Sequence, residues 1–88
     1  MEIKLILLKN GTYLITQLEE MEMEPSVFLS NPMEVIESIG NVELISYPKH
    51  TSQKNVLLYS DMLATIVDPS KSLLAKYLEQ LPNEEILQ

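Results

Sequence analysis

Between Pro48 and Val56 the chain gathers Lys49, His50 and Lys54, together with Thr51, Ser52, Gln53 and Asn55, with no carboxylate among them. Such a run suits phosphate contact, because each lysine is a point charge and the hydroxyls and amides add hydrogen bonds. On one isolated domain the run reads as a solvated loop. Repeated around an assembly of copies it becomes a cationic rim able to track a phosphate backbone. A second group follows at Tyr59-Ser60-Asp61. An aromatic ring beside two polar side chains suits base stacking with hydrogen bonding, and Tyr59 equally suits packing in a core or interface.

Other chemistries are poorly served. With no cysteine and His50 as the single histidine, thiolate zinc sites, cysteine nucleophiles and disulfides are excluded, and a histidine-based triad has no support. No serine lies in a nucleophile-elbow pattern. The two glycines, Gly11 and Gly40, stand apart as turn residues, so no glycine-rich loop can cradle a nucleotide phosphate. Glu34 and Glu37 could act as an acid and base pair only by converging, and their odd spacing along a strand points them to opposite faces. Glu19, Glu20, Glu22 and Glu24 crowd in sequence without supplying the converging oxygens a divalent cation needs, and read as a charged strand end or loop. We therefore expect no enzymatic activity, no metal and no cofactor.

Charge and length narrow the rest. Thirteen acidic residues oppose six lysines, there is no arginine, and the net charge is -7, so any nucleic acid must be met by a local patch. The longest apolar run, Leu5 to Leu8, is too short to span a bilayer or form a signal-peptide core, which with the absence of cysteine points to a cytoplasmic protein without a membrane partner. At 88 residues and 45% apolar content the chain is expected to fold as a single domain, 1–88. A core of that size gains from partners.

The elements that must carry these groups are mostly strands. Apolar residues on either side of Asn10-Gly11 predict a hairpin of strands 2–9 and 12–20 with a type I′ turn. The spacing of Leu14, Ile15, Leu18 and Met21 also fits a helix, which the Asn-Gly signal outweighs. Val27 to Leu29 begin a strand that Asn31-Pro32 interrupts and that resumes to Ser38, so a bent strand is predicted. A turn at Ile39-Gly40-Asn41 leads to an extended segment at 42–47, and the polar residues from Pro48 to Asn55 form a loop. Val56 to Tyr59 and Leu63 to Val67, separated by Ser60-Asp61-Met62, predict a second tight hairpin. Asp68 as cap and Pro69 at the first turn predict a helix over about 69–81, with Leu73, Leu74, Tyr77, Leu78 and Leu81 on one stripe and a frayed tail at 82–88.

Two short motifs add a resemblance. Leu8-Lys9-Asn10-Gly11 and Leu58-Tyr59-Ser60-Asp61-Met62-Leu63 resemble the two motifs of the Sm-like family, also called LSm or Hfq-like. Phe28-Leu29-Ser30-Asn31-Pro32 and Tyr47-Pro48 are similar to small Sm-like proteins of tailed phages, and the match spans about residues 3–67. The resemblance implies a mainly β fold, a strongly bent antiparallel sheet or small barrel of five to six strands, here with a C-terminal helix. It implies a cyclic homo-oligomer of five to seven subunits that binds single-stranded RNA or DNA, in the host cytoplasm if phage-encoded. Candidate contacts are then Lys49, His50, Lys54, Tyr59, Ser60 and Asp61. Pro25-Ser26 lacks the family's asparagine, while Tyr59 and Ser60 replace its arginine and glycine, so its usual uridine pocket is not intact.

Overall fold

The computed structural model describes residues 2–20 and 26–81. The fold is mainly β: six strands in one antiparallel sheet, followed by one C-terminal helix. The strands are β1 (Glu2–Leu8), β2 (Tyr13–Glu20), β3 (Ser26–Ser38), β4 (Asn41–Ser46), β5 (Asn55–Tyr59) and β6 (Leu63–Val67), and the helix α1 is Lys71–Gln80. The sheet order is β4-β3-β2-β1-β6, with β5 also paired to β3. No ladder joins β5 to β6, so the sheet is open and does not close into a barrel. The predicted tail at 82–88, Met21 and two of the four clustered glutamates (Glu22, Glu24) lie outside the described residues.

The first hairpin forms, with a different turn from the one predicted. Gly11 N–H donates to the Leu8 carbonyl and Leu8 N–H to the Thr12 carbonyl (both 2.9 Å), enclosing the three residues Lys9-Asn10-Gly11. Gly11 alone takes the left-handed conformation there (φ +90), which is the geometry of a type I turn closed by a glycine bulge. The Asn10 Oδ1 accepts from Thr12 N–H at 3.0 Å, so the asparagine steadies the turn with its side chain instead of a positive φ.

The bend in β3 has a local cause. Ile15 pairs with Met33 and Gln17 with Ser30, so Thr16 alone faces both Asn31 and Pro32. Two residues against one is a β-bulge, and the extra residue reverses the side-chain alternation of β3. Val27 and Leu29 therefore join Ile6, Leu8, Leu14 and Leu18 in one core cluster, whereas Met33 joins Ile15, Leu44, Tyr77 and Leu81 in a second on the opposite face. The sheet curls over the first cluster, and α1 covers the second.

Opposite the same bend, the partner edge breaks. β4 pairs with β3 from Ser38 back to Met33, and β5 resumes at Ser30. Between the two ladders β3 uses two residues while its partner uses eight, 47–54. The 42–47 segment is thus a true strand up to Ser46, and the loop predicted at 48–55 is an excursion of 47–54 from one long, broken edge, with Asn55 already in β5.

Two predictions need correction. Val56 to Tyr59 and Leu63 to Val67 do not form a hairpin: β5 pairs with β3 and β6 with β1, across a 3₁₀ turn at Ser60–Met62. That turn has neither glycine nor asparagine to supply the positive φ of a tight reversal, and Val56 and Leu58 pack towards Leu29 and Val27 while Ile66 faces Ile6. The helix starts later than predicted. Ser70, not Asp68, is its cap, with Oγ accepting from Leu73 N–H at 3.2 Å. Asp68 instead accepts from Lys4 Nζ at 2.6 Å, an ion pair that raises the Lys4 pKa chiefly through that hydrogen bond. Leu78 also leaves the predicted stripe, being 40% exposed. No helix among the described residues is long and apolar enough to cross a membrane.

Candidate nucleic-acid interface

All six candidate contacts, Lys49, His50, Lys54, Tyr59, Ser60 and Asp61, are exposed, but they fall into two groups. Lys49, His50 and Lys54 belong to the excursion at the β3 bend. His50 adopts a left-handed backbone (φ +69) at its tip. The excursion is clipped to β3 at both ends, by Tyr47 N–H to the Pro32 carbonyl (3.0 Å) and by Asn31 N–H to the Lys54 carbonyl (2.7 Å). Its interior is braced by Gln53, whose N–H donates to Thr51 Oγ1 at 3.1 Å and whose side-chain amide donates to the Asn55 carbonyl.

Tyr59, Ser60 and Asp61 stand at the far end of β5. Five strand residues separate Lys54 from the 3₁₀ turn, about 17 Å at the usual strand rise. One chain therefore does not bring the two groups together. What the second group does meet is the first hairpin: Lys9 N–H donates to the Met62 carbonyl at 2.8 Å. Lys9 and Asn10, both exposed, thus share this end of the sheet with Tyr59, Ser60 and Asp61. Reading the residues singly missed Lys9 as a contributor. The available signal was that both quoted motifs contain turns, and turns of adjacent strands meet at a common end.

Tyr59 is 62% exposed and follows Leu57, at 39%, on the same face of β5. Its ring is available for stacking, or for an interface. No three His, Asp or Glu side chains among the described residues come together in a way that could hold a metal ion.

The bend itself is the most constrained point nearby. Asn31 is left-handed (φ +52), and the Ser30 and Asn31 carbonyls both accept from side chains. Thr16, fully buried, shares its hydroxyl proton between the Gln17 and Ser30 carbonyls (2.9 and 3.1 Å). Tyr77, also fully buried, donates to the Asn31 carbonyl at 2.9 Å and more weakly to that of Ser30 at 3.3 Å. One helix side chain thereby ties α1 to the bend of β3, at the residue whose N–H holds the end of the excursion.

These observations define the class of protein: an open, bulged six-stranded antiparallel sheet with a covering helix and exposed polar groups at two points of one edge. The chain belongs to DUF6561, a family of unknown function, whose model matches residues 1–82. No curated protein matches the chain.

Proposed function

We propose that this protein is a ring-forming, Sm-like subunit, five to seven of which assemble into a cyclic homo-oligomer that binds single-stranded RNA or DNA. One observation carries the reading: β5 (NVLLY) and β6 (LATIV) are open edges on opposite sides of one sheet, and neither contains a charge or a proline. Edge strands of a stable monomer are normally blunted by such residues, because unpaired N–H and C=O groups invite another chain. Two unlike edges that pair with each other make a heterologous contact, which closes into a ring when the rotation allows. Copies related in this way repeat Lys49, His50 and Lys54 once per subunit, so a rim of modest charges gains multivalency. The motif resemblance supports this reading.

The test is mass in solution, by light scattering, for the wild type and for Leu57→Lys and Thr65→Lys, both at exposed edge positions. The expected result is a wild type of five to seven times 10.1 kDa and monomeric variants with unchanged circular dichroism. A monomeric wild type overturns the ring. Fluorescence anisotropy with short oligonucleotides at low salt tests the ligand, and binding should fall in Lys49→Gln and Lys54→Gln. A second reading, a structural or protein-interaction ring with an acidic surface, is favoured by the -7 net charge and by the separation of the two candidate groups. A ring that binds no oligonucleotide selects it.

A further inference from the structure

The excursion and the bend enclose a cleft of about 310 Å³, lined among others by Asn31, Tyr47, Pro48, Ser52, Lys54 and Gln80. We infer that this cleft binds a single nucleoside monophosphate unit, either a free nucleotide or the terminal nucleotide of a strand. The inference deepens the nucleic-acid reading above and rests on it for the choice of ligand.

Charge is the first argument. In a chain of net charge -7, Glu37 lines the cleft beside the start of α1 together with Lys76, and Glu2 and Asp68 line another together with Lys4. No carboxylate lines the cleft at the bend, and Lys54 does. A dianionic phosphate therefore meets a cation without an opposing carboxylate there, and a carboxylate beside each cation in the other two.

The inventory of free polar groups is the second. Among the described residues the side chains of Asn31, Ser52, Lys54 and Gln80 make no hydrogen bond of their own. Two carboxamides, each both donor and acceptor, match the mixed edge of a base, as in the pairing of Asn or Gln with adenine. The Ser52 hydroxyl suits a ribose, and Tyr47 and Pro48 add flat apolar surface for a planar ring.

Preorganisation is the third. Both ends of the excursion are clipped to β3, and Asn31 is held left-handed while Tyr77 fixes its carbonyl, so the walls stand in place before a ligand arrives. The volume lies at the small end of the range for ligand pockets, suited to one nucleotide and not to a longer strand.

The experiment is an amide-resolved NMR titration of the full-length protein with adenosine and uridine 5′-monophosphates, with ribose 5-phosphate and inorganic phosphate as partial ligands. The expected result is shifts confined to residues around Asn31, the 47–54 excursion and Gln80, including the carboxamide signals of Asn31 and Gln80. Phosphate alone binds at least tenfold more weakly. Lys54→Gln weakens nucleotide binding about tenfold or more, and Asn31→Gly and Gln80→Ala about three- to tenfold each. Asn31→Gly keeps the left-handed backbone, so a loss there is not a loss of fold. A hexanucleotide with and without a 5′-phosphate separates the sources: equal affinities assign the site to free nucleotides, whereas tighter binding of the phosphorylated strand assigns it to strand ends. Shifts elsewhere, nucleotide binding unaffected by all three variants, or no binding overturn the inference. An oligonucleotide that still binds in those cases leaves the ring reading standing.

Discussion

The bend of β3 and the free edges of the sheet treat backbone hydrogen bonding in opposite ways. At the bend, a bulge and a left-handed residue interrupt the ladder, and buried side chains donate to the carbonyls there: Thr16 to that of Ser30, Tyr77 to that of Asn31. The neighbouring backbone groups are used too, Asn31 N–H by Lys54 and the Pro32 carbonyl by Tyr47. Along the outer sides of β5 and β6, no ladder takes up the backbone groups, and the exposed side chains there include Leu57, Tyr59 and Val67. A structure that satisfies its most irregular backbone so fully has the means to protect its edges. The bend is completed within the chain, and under the proposed ring the bare edges are completed by neighbouring copies.

Breaking the internal half of that contrast has the largest expected effect. Tyr77→Ala removes a fully buried ring and both hydrogen bonds, and should cost about 3–5 kcal/mol in urea unfolding. Tyr77→Phe keeps the ring and leaves the Asn31 carbonyl without its side-chain donor, for about 1–3 kcal/mol. Thr16→Val, which keeps the shape, should fall in the same range because the Ser30 carbonyl loses its shorter side-chain donor and keeps the longer one from Tyr77. If Phe and Val at these positions match the wild type, the bend is held by packing alone and the contrast with the edges loses its basis.

A finer cut separates conformation from contact at Asn31. Its φ of +52 suits glycine and asparagine and disfavours a β-carbon without a local polar group. Asn31→Gly should therefore unfold near the wild-type midpoint, and Asn31→Ala should lose about 1–2 kcal/mol. Equal losses in both would mean that the carboxamide, and not the backbone, holds this position.

Much of the fold was readable in local signals. Asn10-Gly11 between apolar runs marks the first hairpin, and Asn31-Pro32 inside an apolar stretch marks the bend, because turn and proline chemistry act over a few residues. Partner choice among the later strands was not readable. β5 and β6 are neighbours in sequence but pair with β3 and β1, a choice made by long-range packing of Val56 and Leu58 against one part of the core and Leu63 and Ile66 against another. The same holds for the candidate site. The polar run at 48–55 was visible as composition, but its closure into a cleft depends on Asn31, which marks a bend without revealing what faces it, and on Gln80, and both lie outside that run. Tyr77 showed itself as an apolar stripe residue, while its hydroxyl function required knowing that the helix lies over the bulge.

The ion pair that fastens the strand end to the helix approach should be the weakest tie of all. Asp68 accepts from Lys4 at 2.6 Å beside Glu2, and both neighbours raise the Lys4 pKa, Asp68 foremost, against a smaller opposing effect of desolvation. Because the folded-state pKa lies above the unfolded one, the pair's contribution is complete below the ordinary lysine value and fades as pH rises through the raised value. The urea midpoints of the wild type and Asp68→Asn should accordingly differ slightly at neutral pH, converge at strongly alkaline pH, and converge also with added salt. A gap that persists in alkali would assign the effect of Asp68 to its place ahead of the helix and not to Lys4. Either way it should stay well below the effect of Thr16→Val, since an exposed pair is shared with water and the buried carbonyls of the bend are not.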